Sequence, residues 1–454
     1  MAFVQIDTSR NSAALPHGRL IRETLVVVII LAGLVASTRL MAAYGLQILP
    51  DPVHLETAYQ HLSIRQLHDD LSGALLNLHS QPPLWNFFLG VVAKACAAEA
   101  PCMIQLIWQV HVVLTVVTAT TLYVSLRLLT CSLRMAVLLA LSYALTPAAF
   151  YYENFIQYAH VTAAFFTFSS LAALLLLKTG KSRYFALFCA FLAILSLIWT
   201  LFHPIYILLV GGLLLAKAGA TPLRVSILAL TLAVALLPSV KNKMVFGMFS
   251  SGSWLGLNVS QVAPSPVEGC SFKNFAETHD LIGVHIGTAL NDPRMIPYSK
   301  DCLKRSLDVI SDQPLAYVSG AVVRTATSLS LWPNEYLFPP LNWDRFPKIP
   351  DTYRELTADN LIIIPPSLSR FLTLALNLFA LIALAELARR APTQTQRAFF
   401  QVMLLSVVLF LGLAHAVNGP EQERMRYTLH PLFWGLYSVV AIEAVSRLRR
   451  WSKR

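Results

Sequence analysis

Two carboxylates follow the first long apolar run of the sequence, where they could act as general bases. Asp51 and Glu56 lie in the segment LPDPVHLETAYQHLSIRQLHDDL, which comes just after an apolar run over residues 25–44. A carboxylate close to a membrane surface can take a proton from the hydroxyl or amine group of an acceptor molecule. Either residue could instead be a solvated loop acid, and the spacing leaves open which of the two would be the base.

A third acid and a histidine lie between later apolar runs. Glu153 stands beside Tyr152 in LTPAAFYYENFIQYAH, and His203 stands in WTLFHPIYI. An ionisable residue at the edge of a membrane bundle is costly to desolvate, which makes Glu153 a functional candidate. His203 could contact a phosphate or a sugar. The alternatives are an incidental acid in an aromatic belt and a histidine satisfied at the interface.

Three polar side chains surround a Pro-Pro pair in the segment LHSQPPLWNFFLG. The prolines should turn the chain and begin a helix, because proline is tolerated in the first turn. His79, Gln81 and Asn86 would then offer polar contacts at the membrane–water boundary. A plain turn into an interfacial helix is the alternative interpretation.

A dense group of charges precedes the last apolar run, in the segment NGPEQERMRYTLHP. It contains Glu421, Glu423, Arg424 and Arg426. Arginine binds phosphate through two parallel hydrogen bonds, so these arginines are candidates for holding a phosphate. The neighbouring acids could orient them or contact a polar ligand, unless the four side chains form a self-contained salt-bridge cluster.

The elements that would carry these residues are apolar helices. Hydrophobic residues make up 56% of the 454 positions and charged residues only 13%, about half of what soluble domains carry. The sequence therefore predicts an all-α polytopic membrane protein. We expect about ten spans, over residues 25–44, 103–126, 135–150, 155–177, 184–201, 204–217, 223–240, 367–388, 398–417 and 430–446.

The positions of the basic residues predict the topology. Basic residues cluster in short connectors such as KTGKSR and ARRAPTQTQR, so the positive-inside rule puts these connectors and both termini in the cytoplasm. Residues 83–98 and 316–331 would break this pattern as crossings, and we interpret them as interfacial or re-entrant helices along the outer leaflet. Twelve spans remain an alternative because several spans are short. The net charge of +11 reflects this topology and does not indicate nucleic acid.

The predicted topology divides the chain into three parts. Residues 1–240 form an N-terminal transmembrane catalytic module with a first extracytoplasmic loop at about 45–102, residues 241–366 a large extracytoplasmic loop, and residues 367–454 the C-terminal helices. Extracytoplasmic cysteines can be oxidised. A disulfide between Cys270 and Cys302 is therefore predicted, and Cys96 with Cys102 could form a second one.

This arrangement resembles the C-type (GT-C) glycosyltransferases, a superfamily that includes protein O-mannosyltransferases and lipid A aminoarabinose transferases. The resemblance is architectural along most of the chain and rests on short motifs at HSQPPLWNFFLG, TPAAFYYEN and RYTLHP. It implies transfer of a sugar from a polyprenyl-phosphate donor to a glycan, lipid or protein acceptor, with inversion, at the extracytoplasmic face of the cell membrane. It makes Glu153 a second outside acid and Arg426, followed by Tyr427, a donor-phosphate candidate.

The sequence departs from the superfamily at the first loop, where adjacent Asp-Glu and an aromatic residue are common. Here Pro52 follows Asp51, and Glu56 is followed by Tyr59 three places later. Asp51 is the favoured base, with Glu56 as the alternative. The resemblance requires no cofactor. Outside acids could bind Mg²⁺ or Mn²⁺, although no compact ligand spacing demands a metal.

Two other functions fit a polytopic chain with charge at one face. A secondary transporter of a polar or anionic solute would place ionisable residues near the middle of the membrane, whereas the predicted spans carry their charges towards their ends. An O-antigen ligase or polymerase would also use lipid-linked sugars and outer-loop arginines. Such an enzyme need not have an acid in the first loop, so it should tolerate a change at Asp51.

Overall fold

Every regular element in the described part of the chain is a helix. The structure is a computed structural model that describes residues 17–45, 50, 55, 61–129, 131–330, 366–417 and 422–437. Within these ranges there is no strand, and a π-helical turn, Met41–Gly45, extends the first helix. The predicted all-α class is therefore confirmed for the described residues.

The first half of the chain, up to residue 246, contains eleven α-helices among its described residues. They are α1 (His17–Leu40), α2 (Ile64–Asp69), α3 (Leu71–Leu76), α4 (Leu84–Ala95), α5 (Ala100–Leu128), α6 (Leu133–Ala144), α7 (Pro147–Asn154), α8 (Ala159–Thr179), α9 (Ser182–Ile198), α10 (Pro204–Ala218) and α11 (Pro222–Phe246).

The described helices of the second half are three short ones, then four longer ones, then one short one. They are α12 (Leu255–Val262), α13 (Phe272–Thr278), α14 (Ile286–Leu290), α15 (Met295–Asp312), α16 (Pro314–Ser330), α17 (Pro366–Arg390), α18 (Gln394–Val417) and α19 (Gln422–Thr428). Residues 430–437 are helical again.

Six of the described helices are long and apolar enough to cross a membrane. They are α1 with its π-helical turn, α5, α8, α11, α17 and α18, and a seventh span results if α6 and α7, which bend by 43° at their junction, cross together. The predicted number of about ten is not confirmed. Helices α9 and α10 have 17 and 15 residues, about 25 Å or less at 1.5 Å per residue against a hydrocarbon core of about 30 Å. Neither α4 nor α16, the predicted interfacial helices, is a candidate span.

The break between α6 and α7 has a local cause. Pro147 occupies the first turn of α7, and the hydroxyl of Thr146 accepts a hydrogen bond from the backbone N–H of Ala149. A threonine cap followed by proline starts a new helix, because proline cannot continue the ladder of the preceding one. The new helix carries Glu153 into the interior of the bundle.

Arg224 joins two of the short basic connectors at one end of the bundle. Its guanidinium donates to the carbonyls of Gly180, Ala218 and Gly219 and, at 3.2 Å, to the hydroxyl of Ser182. The turn before α9 and the turn before α11 therefore lie together. Helix α9 runs away from this end, so Ile198 lies about 25 Å from Ser182 along the helix axis.

Segments of the first and second loops pack together at the other end of the bundle. A Cβ atom on Gly287 would lie 1.6 Å from the carbonyl oxygen of His61, and one on Gly252 would lie 2.8 Å from that of Ser80. Only glycine permits such close backbone approach. The predicted disulfide Cys270–Cys302 and the second pair, Cys96–Cys102, are both present and hold these segments.

Candidate functional site

A cavity of about 470 Å³ lies where the loop segments meet the ends of the apolar helices. Its wall comes from the turn before α4, the connector between α9 and α10, residues 250–261 of the second loop, the C-terminal end of α18, and α19. Ile198 is part of this wall, so the cavity lies at the end of α9 opposite the Arg224 turns. The volume is in the range of small-molecule sites.

Arg424 is the one arginine among the described residues that line the cavity. Its guanidinium carbon lies 5.1 Å from the ring centre of Tyr158 and 5.3 Å from that of Trp199. Only 5% of its surface is exposed. A guanidinium over aromatic rings is weakly hydrated, and its planar fork matches the geometry of a bidentate anion.

Uncharged polar groups share the cavity wall with this arginine. Gln81, Asn258 and Gln261 contribute amide side chains to the wall. His203 also lines the cavity, and its Nδ1 accepts the backbone N–H of Ile205 at 3.3 Å. In the neutral ring the proton is then on Nε2, which can donate to a ligand.

Two buried polar atoms of the wall have no hydrogen-bond partner within the described structure. They are the hydroxyl of Ser80 and the indole N–H of Trp254, and both residues line the cavity. A buried donor without a partner costs about 1–3 kcal/mol, so a polar ligand in the cavity would recover that free energy. The cavity is therefore suited to a ligand that carries several hydroxyl groups and one anionic group.

His79 joins the segments of the first and second loops that form the cavity wall. Its Nε2 lies 3.0 Å from the carbonyl oxygen of Asn291 and must donate to it, so Nδ1 accepts from the hydroxyl of Ser253 at 2.9 Å. Burial, with a smaller contribution from Lys241, lowers the pKa of His79 to about 4. The neutral ring thus ties the first loop to the second.

Compared with known proteins, the chain matches no family model and no curated protein sequence.

Glu153 lies in the interior, away from the wall of the cavity. It is fully buried and forms a two-pronged ion pair with Arg39, at 2.6 Å and 2.9 Å. The hydroxyl of Thr115 donates to the same carboxylate. Arg39 also donates to the carbonyl of Ala144 at 2.7 Å, so the ion pair joins α1, α5, α6 and α7.

Further buried groups connect this ion pair to α19. The ring of His160 contacts the hydroxyl of Thr115 through Nε2 at 3.1 Å and that of Tyr427 through Nδ1 at 2.8 Å. The rings of Tyr152 and Tyr427 stack with their centres 3.7 Å apart. We call Arg39, Thr115, Tyr152, Glu153, His160 and Tyr427 the buried network.

Arg426 occupies a separate interior site. It is 1% exposed and donates to the amide oxygen of Asn377 at 2.9 Å and to the hydroxyl of Tyr437 at 2.7 Å. Its guanidinium carbon lies 5.8 Å from the centre of the Phe433 ring. Arg426 therefore links α17, α19 and residues 430–437, and it is not among the described residues that line the cavity.

The residues predicted from the sequence thus fall into four groups. Gln81, His203 and Arg424 line the cavity; Tyr152, Glu153 and Tyr427 belong to the buried network; His79, Asn86 and Arg426 are buried supports. Asn86 accepts the backbone N–H of Leu62 at 2.8 Å. Asp51, Glu56, Glu421 and the side chain of Glu423 lie outside the described residues.

Several residues of the cavity and of the buried network were not predicted from the sequence. Arg39, a lone cation near the end of the first apolar run, could have been paired with Glu153, because charges in membrane segments usually have partners. The cavity residues Tyr158, Trp199 and Trp254 look like ordinary interfacial aromatics, and Asn258 like a loop amide. Nothing in the sequence indicates that three separate segments bring these four residues to one cavity.

Proposed function

We propose that the protein is a membrane glycosyltransferase that takes its sugar from a polyprenyl-phosphate donor. The observation that carries the proposal is Arg424 in the cavity, held against Tyr158 and Trp199 among uncharged polar groups. An arginine with aromatic and amide neighbours suits a phosphate joined to a sugar. Apolar helix ends form part of the same wall and suit the polyprenyl chain.

The reaction is a single displacement with inversion. The acceptor oxygen or nitrogen forms a bond to the anomeric carbon as the bond from that carbon to the phosphate oxygen breaks. The electron pair leaves on the phosphate, and the acceptor proton passes to Asp51 or, as the alternative, to Glu56. Arg424 opposes the charge that grows on the phosphate, an effect that is large when the donors are already in position.

The remaining cavity groups would bind the sugar. The N–H groups of Trp254 and, in the neutral ring, His203 can donate to hydroxyl oxygens, and Gln81 and Asn258 lie on the same wall. The phosphate is a good leaving group, so no general acid is required. The described residues contain no group of three or more His, Cys, Asp or Glu side chains suited to a metal ion, and no step is assigned to one.

The proposed side of the reaction is extracytoplasmic. The Arg224 turns, with Lys181 and Arg183 beside them, lie at the opposite end of α9 from the cavity. Because basic connectors stay in the cytoplasm, the cavity end would face outward.

Binding of a phosphorylated lipid to the purified protein in detergent tests the proposal. Farnesyl phosphate is the probe, and Arg424→Ala should weaken its binding by tenfold or more. Arg183→Ala is the matched control, because Arg183 also lies over an aromatic ring, 4.8 Å from the centre of Tyr184, but at the other end of α9. The control should bind like the wild type.

Turnover in the same samples separates the proposed reaction from its alternatives. With a panel of polyprenyl-phosphate-linked sugars and membrane extract as acceptor, Asp51→Asn should bind donor and fail to transfer sugar. Normal transfer by both Asp51→Asn and Glu56→Gln would favour a ligase or polymerase. If the wild type does not bind farnesyl phosphate, the transferase proposal is wrong.

One observation favours transport as a second candidate. The Arg39–Glu153 pair and Arg426 are charged groups in the bundle interior, and interior charge is typical of transporters. The wild type reconstituted in liposomes should then move a polar or anionic solute across the bilayer. Sugar transfer without such flux would exclude transport.

A further inference from the structure

We infer that Glu153 is a positioning residue: with Arg39 it fixes the buried network, which holds Arg424 in place at the cavity. The inference rests on the proposed function, since it names what positions the phosphate-binding arginine. It also changes the role that the sequence suggested for Glu153, from a second outside acid to an interior anchor.

The hydrogen bonds of the buried network are donated in sequence from Tyr427 to His160, from His160 to Thr115 and from Thr115 to Glu153. Nε2 of His160 lies 3.1 Å from the carbonyl oxygen of His111, which can only accept, so Nε2 carries the proton. Nδ1 must then accept from the hydroxyl of Tyr427. Thr115 accepts from Nε2 and donates to Glu153. Each partner thus fixes the orientation of the next, from the carboxylate to α19.

The network reaches Arg424 by two routes. Tyr427 follows Arg424 by three residues on α19, so the two side chains are neighbours on one helical face. The second route runs along the chain, because Tyr158, the ring beneath Arg424, follows Glu153 by five residues at the start of α8. In this inference, Glu153 fixes the positions of both Arg424 and the Tyr158 ring.

A second pair of side chains holds α19 against α8. The hydroxyls of Thr162 and Thr428 lie 3.1 Å apart, and these residues follow His160 by two positions and Tyr427 by one. Two adjacent contacts prevent rotation of α19 about its axis. A rotation of one residue position, about 100°, would turn Arg424 away from the cavity.

The position of Glu153 also argues against a direct part in proton transfer. Its carboxylate is fully buried, receives three hydrogen bonds from Arg39 and Thr115, and is not among the described residues of the cavity wall. An acceptor in the cavity would not contact it. Its effect on the reaction must pass through the residues that it holds.

A double-mutant cycle with Arg424 tests this inference. Glu153→Gln should weaken the binding of farnesyl phosphate by about tenfold in the wild type and by less than about twofold when Arg424→Ala is already present. A residue that merely maintained the fold would cause the same loss in both backgrounds. Equal losses would therefore overturn the inference, as would normal binding by Glu153→Gln.

A milder variant covers the case in which Glu153→Gln does not fold. Thr115→Val removes only the hydroxyl that joins Glu153 to His160, and it should weaken binding in the same Arg424-dependent way. Thr121→Val is the matched control on the same helix, because the Thr121 hydroxyl bonds to the carbonyl of Val117 within α5. Thr121→Val should bind like the wild type, and an equal effect of both variants would contradict the inference.

The charge balance of the pair gives a further test. Arg39→Gln combined with Glu153→Gln removes both charges and leaves no buried charge unpaired. We expect the double variant to bind farnesyl phosphate more tightly than either single variant and to recover turnover. If the double variant transfers no sugar although it binds donor, Glu153 is a catalytic residue and the inference is wrong.

A readout that needs no lipid distinguishes failure of this inference from failure of the proposed function. In a Cys131→Ser background, Arg424→Cys presents a thiol at the cavity, and its reaction rate with a methanethiosulfonate reagent reports its position. Thr115→Val should change that rate several-fold, and Thr121→Val should not. If the wild type binds no farnesyl phosphate but the rate changes, the function is wrong and the positioning role holds; an unchanged rate overturns the positioning role.

Discussion

Two arginines of one short helix have opposite surroundings. Arg424 faces the cavity, over the rings of Tyr158 and Trp199. Arg426 faces the interior, where it donates to Asn377 and Tyr437. Two residues correspond to about 200° around an α-helix, so neighbours of the same type point to opposite sides. The difference shows that the helical face, rather than the residue type, decides whether an arginine of α19 lines the cavity, and it selects Arg424 for the proposed phosphate site.

The buried network and the cavity wall also differ in how their polar groups are satisfied. In the buried network, Arg39 and Glu153 satisfy each other, and His160 and Tyr427 continue the chain of partners. In the cavity wall, the Ser80 hydroxyl and the Trp254 N–H are buried without a partner within the described structure. Satisfied groups maintain the fold, whereas buried groups without partners are suited to a ligand.

Arg426→Ala should produce the largest loss of stability. The substitution leaves a cavity beside Phe433 and removes two hydrogen bonds from a charged donor, so we expect the free energy of unfolding to fall by about 3 kcal/mol. Thermal unfolding in detergent, followed by intrinsic fluorescence, measures the change. Arg424→Ala should cost less than about 1 kcal/mol under the same conditions. Equal losses would erase the distinction between the two sides of α19.

Gly256→Ala should destabilise the loop wall of the cavity. A Cβ atom at Gly256 would lie 1.7 Å from the carbonyl oxygen of Ser299, so α12 and α15 must separate, at a cost of about 2–3 kcal/mol. Gly212→Ala is the matched control in α10, because nothing lies within 4 Å of its Cβ position; it should stabilise by up to about 1 kcal/mol. If both variants unfold like the wild type, α12 and α15 can separate at little cost in free energy, and the cavity is not preformed.

The sequence predicted the helices better than the contacts between them. Apolar runs and prolines located most long helices within a few residues, as at α5 and α8, because hydrophobic length and helix-start signals are local. The predicted number of spans was not confirmed where helices were short or broken, as at α9 and at the bend before Pro147. Both disulfides followed from the predicted topology and were confirmed.

The candidate site was predictable only in part. The motif NGPEQERMRYTLHP drew attention to α19, but it could not separate Arg424 from Arg426, because that difference depends on the orientation of the helix. Arg39 and Glu153 are 114 residues apart in the sequence, and no local pattern joins them. Long-range pairing of this kind is set by the packing of whole helices.

Acidification should loosen the contact between the two loops through His79. Its pKa of about 4 in the folded protein lies below the ordinary value of 6.5, so the unfolded chain binds more protons between these values. Stability is then fully present above pH 6.5 and falls with decreasing pH, by about 2 kcal/mol at pH 5. His79→Gln should show a smaller loss between pH 7 and pH 5 in the same unfolding measurement. An identical pH dependence would mean that His79 is not held neutral by the loops.

Arg424→Lys should have the smallest effect and is the most specific test of the cavity side. Lysine keeps the positive charge but loses the planar fork and the stacking on Tyr158 and Trp199, so we expect farnesyl phosphate to bind about tenfold more weakly, which corresponds to about 1.4 kcal/mol. Unfolding should change by less than about 0.5 kcal/mol. Arg183→Lys, at the far end of α9, should leave binding unchanged. Wild-type affinity in Arg424→Lys would mean that charge alone holds the phosphate. The rings of Tyr158 and Trp199 would then be assigned to binding of the sugar.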